Sequence, residues 1–206
     1  MSKGKFITFE GSEGSGKSTQ IDFVFRYLQR RKKPVIFVRE PGGVKISEKI
    51  RGLLLDAKNK KMCAECDTLL YMAARTQLVA EVIKPSLDKG KIVLCDRFLD
   101  STVVYQGYGS GVDVKFIKEI GAFATQHIKP HLTFIFDIEA KKGLARINRA
   151  KDRIEQRALD FHNRVRRGYL ALAKQEPQRI KLIAANQEKD AIRVIVQQHI
   201  DRLLNL

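Results

Sequence analysis

Residues 5 to 18 read Lys5-Phe6-Ile7-Thr8-Phe9-Glu10-Gly11-Ser12-Glu13-Gly14-Ser15-Gly16-Lys17-Ser18. The run Lys5–Phe9 has the apolar, β-branched and aromatic composition of a short strand, and the glycines that follow end it. Gly11–Ser18 matches the pattern G-x-x-x-x-G-K-[ST], and apolar residues at helical spacing begin after Ser18. A strand, this pattern and then a helix together predict a phosphate-binding loop.

The residue types of this loop suit the phosphates of a nucleoside triphosphate. Its glycines let the backbone wrap a phosphate group, whose charge is met by successive N–H groups and by the helix N-terminus. We expect Lys17 to reach the β- and γ-phosphates and the Ser18 hydroxyl to ligate Mg²⁺. The residues predicted to bind the nucleotide are Gly11, Ser12, Glu13, Gly14, Ser15, Gly16, Lys17, Ser18 and Thr19.

Four further short apolar runs alternate with segments of helical periodicity. They predict strands at Pro34–Val38, Ile92–Cys95, His131–Asp137 and Arg179–Ala184. Helices are predicted from Ser18 to about Lys33 and at Ser47–Asp56, Glu65–Ile83 and Ala191–Leu204. Such alternation is typical of βαβ units, in which a parallel sheet carries helices on both faces. Because no linker or repeat interrupts the pattern, we predict one α/β domain over residues 1–206.

The composition excludes several classes of protein. With 206 residues, 44% hydrophobic and 30% charged, the chain suits a folded domain rather than a disordered one. No apolar run approaches the ~18 residues of a membrane span, and the N-terminus has no signal-peptide core, so we expect a cytosolic protein. The formal charge of +16 favours anionic partners, from nucleic acid to phosphorylated metabolites, without choosing among them.

The positive charge is concentrated in one part of the chain. Lys141–Arg167 contains ten basic and three acidic residues, which is +7 of the +16. This run is either a solvated helix face or a surface that holds an anion.

The three cysteines do not form a disulfide framework in a cytosolic chain. Cys63 and Cys66 are spaced as C-x-x-C, which occurs in redox sites and in halves of zinc sites. The remaining cysteine, Cys95, ends a predicted buried strand, and the four histidines show no ligand spacing. We therefore interpret Cys63 and Cys66 as ordinary cysteines, with redox chemistry and zinc binding as the alternatives.

The polar segments after the strands should form the wall of a site, because parallel sheets bind ligands at the carboxyl ends of their strands. These segments are Glu10–Ser18, Arg39–Gly43, Asp96–Ser101 and the residues from Asp137 onward. Arg97 at such an end suits a second phosphoryl group, although an arginine there can also form a structural ion pair. The chain lacks the Asn-Lys-x-Asp motif of GTPases near its fifth strand. With Arg39, Arg51 and Arg75 as further cations, the pattern favours a kinase whose acceptor is itself a phosphate.

Several spaced motifs, taken in order, carry a resemblance to a known family. They are Phe9-Glu10-Gly11-Ser12-Glu13-Gly14-Ser15-Gly16-Lys17-Ser18-Thr19-Gln20, Arg39-Glu40-Pro41-Gly42-Gly43, Ala73-Ala74-Arg75, Asp96-Arg97-Phe98 with Ser101 and Tyr105-Gln106-Gly107, and Asp152-Arg153-Ile154-Glu155. Together they resemble thymidylate kinases (dTMP kinases) of the bacterial kind over essentially the whole chain. The resemblance implies a P-loop NTPase-type three-layer α/β fold: a five-stranded parallel sheet with helices on both faces and a small helical lid at about 141–155.

The same resemblance implies an activity. It is the transfer of a phosphoryl group from ATP, with Mg²⁺, to dTMP, giving dTDP for dTTP synthesis. It also implies a cytoplasmic homodimer, and we expect no nucleic-acid or membrane partner.

Roles for individual residues also follow from the resemblance. Arg97, with Arg51 and Arg39, would hold the dTMP phosphate, while Arg75 and Gln106 would hydrogen-bond the thymine edge. Tyr71 would stack on the base and Tyr105 would lie where a ribose 2′-OH would sit; without the resemblance both could be core aromatics. The implied dTMP-binding set is Glu40, Arg51, Tyr71, Arg75, Arg97, Ser101, Thr102, Tyr105 and Gln106, and the implied Mg²⁺ set is Ser18, Glu13 and Asp96.

Members of the family differ in where they keep the arginine that neutralises the transferred phosphoryl group. Some carry it in the phosphate loop and others in the lid. Here the loop has Glu13 and no arginine, whereas the lid has Arg146, Arg149 and Arg153. The resemblance therefore makes these three arginines, together with Lys17 and Arg97, the expected catalytic residues. Arg153 ranks first and Arg149 second, because Asp152-Arg153-Ile154-Glu155 is the best-matched part of the lid.

Two other functions remain open at this point. The chain could phosphorylate another nucleoside monophosphate or a deoxynucleoside. Its charge could also indicate a nucleic-acid-binding P-loop ATPase, although the sequence lacks an interleaved basic and aromatic stripe.

Overall fold

The computed structural model describes residues 4–206, in which five parallel strands form one sheet. The strands are β1 (Lys5–Gly11), β2 (Val35–Arg39), β3 (Ile92–Asp96), β4 (Leu132–Asp137) and β5 (Ile180–Ala184), in the spatial order β2-β3-β1-β4-β5. Each predicted strand is confirmed, with ends shifted by one or two residues. The apolar runs located the strands correctly because a parallel sheet is buried on both faces.

The helices also lie close to their predicted positions. They are α1 (Lys17–Arg30), α2 (Lys45–Leu55), α3 (Ala64–Leu78), α4 (Lys84–Asp88), α5 (Leu99–Thr102), α6 (Val114–Ala124), α7 (Ala140–Ala145), α8 (Leu159–Gln175) and α9 (Lys189–Leu204). A π-helical turn at Val79–Ile83 joins α3 to α4, so the predicted helix Glu65–Ile83 continues to Asp88. The wide turn precedes Pro85, which has no N–H to donate to the carbonyl one turn before it.

Alternate residues of the strands pack against helices on opposite faces of the sheet. On one face Phe9 and Phe134 pack against helices α1 and α9, through residues such as Val24 and Val196. On the other face Ile135 lies in a separate cluster with Val165 and Tyr169 of α8, while Phe6 and Val93 pack against the α3–α4 helix. This three-layer arrangement is the expected one. Within residues 4–206 no helix is long and apolar enough to span a bilayer.

The strand register brings the ends of three strands together. Phe9 of β1 pairs with Asp96 of β3, and Asp96 pairs on its other side with Arg39 of β2. Because all strands are parallel, the segments that leave these residues emerge at the same edge of the sheet. The fold therefore places the phosphate loop, the turn after Arg39 and the turn containing Arg97 side by side.

The lid segment, residues 141–155, is helical only at its start. Helix α7 ends at Ala145, and turns follow until α8 begins at Leu159. Asp152 stabilises one of these turns, since its Oδ1 accepts hydrogen bonds from the N–H groups of Ile154 and Glu155, both at 2.9 Å. Aspartate favours such local backbone bonding over a continuous helix.

Candidate active site

A cavity of about 240 Å³ lies at the carboxyl ends of β1, β2 and β3. Side chains from these ends, from α2, α3 and the turn after α5, and from the lid segment all line it. Six of its residues are basic and five are acidic: Lys17, Arg39, Arg51, Arg75, Arg97 and Arg149, against Glu13, Glu40, Asp96, Asp152 and Glu155. Four of the six cations pair with a carboxylate: Arg39 with Glu48, Arg75 with Glu40, Arg97 with Glu13 and Arg149 with Glu155.

The phosphate loop opens helix α1 in the predicted way. Gly16 stands before the helix at a φ of 83°, in the left-handed region that favours glycine. The Lys17 Nζ donates to the carbonyl oxygens of Gly11 at 3.0 Å and Ser12 at 3.1 Å. Burial lowers the pKa of Lys17 to about 8, because desolvation disfavours its charged form and the nearby Arg97 adds repulsion. Lys17 thus lies folded against its own loop.

Two glycines allow the lid segment to touch the phosphate loop. A Cβ on Gly14 would lie 2.1 Å from the carbonyl oxygen of Gly143, and a Cβ on Gly143 would lie 2.3 Å from the carbonyl oxygen of Glu13. Only the absence of both side chains permits this approach of backbone to backbone. The start of the lid segment is therefore packed directly on the loop.

Arg97 forms the centre of the charged network in the cavity. Its Nη2 donates to Glu13 Oε1 at 3.0 Å, and its Nη1 donates to Ser101 Oγ and to the Tyr169 hydroxyl, both at 3.2 Å. Burial disfavours its charge, but Tyr105, Tyr169 and Glu13 outweigh burial and raise the pKa of Arg97 well above its usual value. Its φ of 65° is uncommon for a residue with a side chain. Arg97 is both an ion-pair partner and a cavity-lining cation.

Glu13 of the phosphate loop stays ionised in spite of burial. Its Oε1 also accepts from the Tyr105 hydroxyl at 2.6 Å, and its Oε2 lies 3.5 Å from His162 Nδ1. Burial opposes the charged form, but His162, Arg97 and Lys17 outweigh it and lower the pKa of Glu13 to about 2. His162, which is buried on α8, was not predicted to lie in the site.

Glu10 begins a segment that was predicted to form the wall of the site, but the sequence gave it no role of its own. Its Oε1 accepts from the Phe98 N–H at 2.7 Å, and its Oε2 accepts from the Ser101 and Tyr169 hydroxyls. Burial and then the negative charge of Asp100 raise the pKa of Glu10 to about 7. These contacts fasten the turn that carries Arg97 to β1. The signal in the sequence is a carboxylate that ends an otherwise apolar strand.

A second group of polar side chains surrounds Arg75 of α3. Its Nε donates to Glu40 Oε2 at 2.8 Å, and its Nη2 lies 2.7 Å from the same oxygen and donates to Thr102 Oγ1 at 3.0 Å. Burial raises the pKa of Glu40, although the charge of Arg75 opposes this effect. The Glu40 carboxylate therefore holds the Arg75 guanidinium in place.

Arg153 does not lie where its predicted rank as first lid arginine requires. It is 8% exposed and absent from the cavity wall; its Nε donates to the Leu54 carbonyl at 2.7 Å and its Nη2 pairs with Asp67. Arg149 lines the cavity and donates to both carboxylate oxygens of Glu155, at 2.9 and 2.7 Å. Arg146 donates to the Gly14 carbonyl at 3.2 Å. Of the three lid arginines, Arg149 thus lies on the cavity wall and Arg146 on the phosphate loop, whereas Arg153 lies in a buried ion pair.

Arg153→Ala should destabilise the protein rather than slow its chemistry directly. The substitution leaves the buried Asp67 carboxylate without its cation, a change that typically costs about 3–5 kcal/mol. Urea unfolding should show this loss, whereas Arg149→Ala should lower the free energy of unfolding by less, because Arg149 is 63% exposed although its partner Glu155 is buried. Equal unfolding free energies for the two variants would contradict the buried ion pair.

The structure brings most of the predicted site residues together. All nine residues of the implied dTMP-binding set line the cavity, as do Lys17, Ser18, Glu13 and Asp96. The predicted site residues that do not line it are Gly11, Ser12, Ser15, Gly16, Thr19, Arg146 and Arg153. Asp137 does not either, because Arg166 holds its carboxylate at 2.7 and 2.8 Å. Asp137, at the carboxyl end of β4, is thus held in an ion pair and does not form part of the cavity wall, contrary to expectation.

The residues of the predicted magnesium set suit a hard cation. Asp96 Oδ1 and Glu13 Oε2 are buried and accept no hydrogen bond from residues 4–206, and Ser18 is exposed at the start of α1. Mg²⁺ prefers such oxygen ligands and needs only one or two from the protein when phosphates supply the others. Within residues 4–206 no group of three His, Cys, Asp or Glu residues is placed to hold a metal ion.

The phosphate loop adjoins a cation-rich pocket in a parallel sheet with the strand order β2-β3-β1-β4-β5. This combination defines a P-loop phosphotransferase. Comparison with known proteins is more specific, since a family model described as thymidylate kinase matches residues 9–195. The thymidylate kinase of Syntrophus aciditrophicus (strain SB) is 46% identical over 96% of this chain and 94% of that protein. That of Symbiobacterium thermophilum is 42% identical over 97% and 94%. The chain belongs to the thymidylate kinase family.

A solved structure agrees with this assignment. The crystal structure of thymidylate kinase from Ehrlichia chaffeensis superimposes with a TM-score of 0.80 at 33% identity, covering 97% of this chain and 99% of that chain. The predicted fold class and family are thereby confirmed.

Proposed function

We propose that the protein transfers the γ-phosphoryl group of ATP to dTMP, giving ADP and dTDP for dTTP synthesis. Family membership supports this activity, and one observation carries its assignment to these residues. A single cavity joins the phosphate-loop residues Lys17 and Ser18 to Arg97 and to the base-sized pocket around Arg75. Donor and acceptor would thus meet at Arg97.

Catalysis by this site rests on positioning and charge. The acceptor oxygen of dTMP is already anionic near pH 7, so the site needs no general base. Phosphoryl transfer depends mainly on holding two polyanions in line and neutralising the charge that develops between them. Lys17 and a lid arginine are placed to meet that charge, and Arg97 to align the acceptor phosphate.

Other residues of the cavity are assigned to the sugar of the acceptor and to the metal. The Tyr105 ring lies with its hydroxyl on Glu13 and with the Arg97 guanidinium 5.0 Å from its centre, so its position is fixed from both sides. We assign it the role of excluding a ribose 2′-OH. We assign Mg²⁺ to Ser18, Glu13 and Asp96; when bound, the ion neutralises charge on the donor phosphates.

Coupled ADP release with a panel of acceptors tests the activity. The panel is dTMP, dUMP, dCMP, dGMP and thymidine, each with ATP and Mg²⁺. Turnover should be greatest with dTMP. Greater turnover with another acceptor would show that dTMP is not the preferred substrate. ATP hydrolysis that polynucleotide stimulates, without phosphoryl transfer to any acceptor, would show that the protein is an ATPase and not a kinase.

Arg97→Ala should raise the KM for dTMP by about 100-fold and lower kcat, because two charge-assisted hydrogen bonds to the acceptor phosphate contribute about 3 kcal/mol. Steady-state kinetics with dTMP and with ATP as the varied substrate measure the two effects. Arg97→Lys is the matched control, since it keeps the charge and loses the forked geometry. A change confined to the KM for ATP would show that Arg97 binds ATP and not dTMP.

We also propose a cytoplasmic homodimer, as the family resemblance implies. Large apolar side chains are exposed on three helices of one side of the molecule: Leu53 of α2, Leu69 of α3, and Phe116 and Phe123 of α6. Phe123 is 79% exposed. Burial of these side chains against a second copy would stabilise the dimer, and sedimentation equilibrium measures its mass.

A further inference from the structure

Asp67 of helix α3 connects the base side of the cavity with the end of the lid segment. It is 5% exposed. Its Oδ1 accepts from Arg153 Nη2, and its Oδ2 accepts from Gln106 Nε2 at 2.8 Å.

The contacts of Asp67 determine which way the Gln106 amide faces. A guanidinium has donors only, so Arg153 requires an acceptor at Asp67, and an ionised carboxylate accepts at both of its oxygens. The amide nitrogen of Gln106 must therefore face Asp67. Its other terminal atom, Oε1, accepts no hydrogen bond from residues 4–206, and Gln106 lines the cavity. The atom that Gln106 offers to a ligand is an acceptor.

Arg75 offers the complementary group beside it. Of its five N–H donors, that on Nε is used by Glu40, one on Nη2 by Thr102 and one on Nη1 by the sulfur of Met72 at 3.3 Å, while Nη2 also lies within ion-pair distance of Glu40. The second Nη1 hydrogen is left for a ligand. A donor next to an acceptor matches a base edge with a keto oxygen next to a ring N–H, which thymine has. Cytosine has an amino group and an unprotonated ring nitrogen at the same positions.

We propose that Asp67 is a positioning residue that holds Gln106 with its oxygen toward the base and thereby selects thymine over cytosine. This rests on the proposed function, because it presumes that the base of the acceptor lies against Arg75 and Gln106. Sites built to pair a specific hydrogen-bonding group reject a mismatched analogue by up to about 10⁴-fold. Asp67 controls that discrimination without touching the substrate.

Asp67→Asn provides a directional test. Arg153 still requires an acceptor, so it takes the Asn oxygen and leaves the Asn NH₂ facing Gln106. Gln106 must then turn its own oxygen to Asn and its NH₂ to the base, where thymine presents a ring N–H and cytosine a lone pair. The ratio of kcat/KM for dTMP to that for dCMP should fall at least ~100-fold. A loss of structure alone would lower both values and leave their ratio unchanged.

Two further variants make the test specific. Asp67→Glu keeps both acceptor oxygens and should keep the ratio within about threefold of the wild type. Adding Gln106→Glu to Asp67→Asn restores the preference, because Glu accepts from the Asn NH₂ and also offers an acceptor to thymine. In this double variant the net charge equals that of the wild type.

The Asn variant removes the charge that balances buried Arg153, so its folding is checked by circular dichroism. If it does not fold, Asp67→Ala combined with Arg153→Met removes both charged partners together. Gln106 then has no fixed orientation, and the ratio should fall about tenfold. An unchanged ratio in a folded variant, with a wild type that phosphorylates dTMP, overturns the inference alone. A wild type that does not phosphorylate dTMP overturns the proposed function as well.

Discussion

Lys17→Ala should lower kcat by about 10³-fold or more while the protein remains folded. In phosphoryl transfer, removal of a cation that follows the migrating group costs about 10³–10⁵ in rate, or roughly 4–7 kcal/mol. Lys17 is the cation of the phosphate loop, and its Nζ now contacts the carbonyls that surround the donor site. ATP should turn that ammonium group from the loop toward its phosphates.

The control for this variant is Lys174→Ala, which removes an exposed lysine that does not line the cavity. It should leave kcat unchanged. Circular dichroism verifies the fold of both proteins, and a burst experiment separates the chemical step from product release. Near-normal turnover in a folded Lys17 variant would show that Lys17 has no catalytic role.

Arg149→Ala should lower kcat by about 10³-fold, with little change in dTMP affinity. The phosphate loop contains no arginine, so charge on the transferred group must be met by another segment. Arg149 lines the cavity and Glu155 holds its guanidinium through both oxygens. Its side chain is 63% exposed, so its removal should lower the thermal unfolding midpoint of the free enzyme less than removal of the buried Arg153.

Lys151→Ala is the matched control, because it removes a positive charge from an exposed position of the same segment. Arg146→Ala is measured alongside, since Arg146 already contacts the phosphate loop. If the Arg146 and Arg149 variants both keep kcat within about threefold, the lid hypothesis fails and these arginines belong to a solvated surface.

The sequence was informative wherever the pattern of neighbouring residues carried the signal. Lys5–Phe9 and the other apolar runs located the strands, and the glycines and Lys17 located the phosphate loop. Parallel strands then bring Arg39, Asp96 and Arg97 to one edge of the sheet whatever the remaining details.

The partners of charged side chains could not be predicted in the same way. Arg153 looks like its neighbours Arg146 and Arg149 in sequence, but its partner Asp67 lies 86 positions away. Its burial follows only from the packing of the lid segment on α2 and α3. Helix α8 likewise shows apolar periodicity, with no sign that His162 faces Glu13 of the phosphate loop or that Tyr169 contacts Glu10 and Arg97.

The lid segment is tied to the body at both ends, by Gly143 on the phosphate loop and by Arg153 on Asp67. Between these ties, Asn148, Ala150 and Lys151 are exposed. Changes in chain length are therefore inexpensive there, since doubling a flexible loop costs only about 0.6 kcal/mol in closure entropy. A single added methyl group at Gly143 is a far larger perturbation than an inserted residue at position 150. We therefore expect the protein to tolerate changes in the length of the lid segment best at its middle.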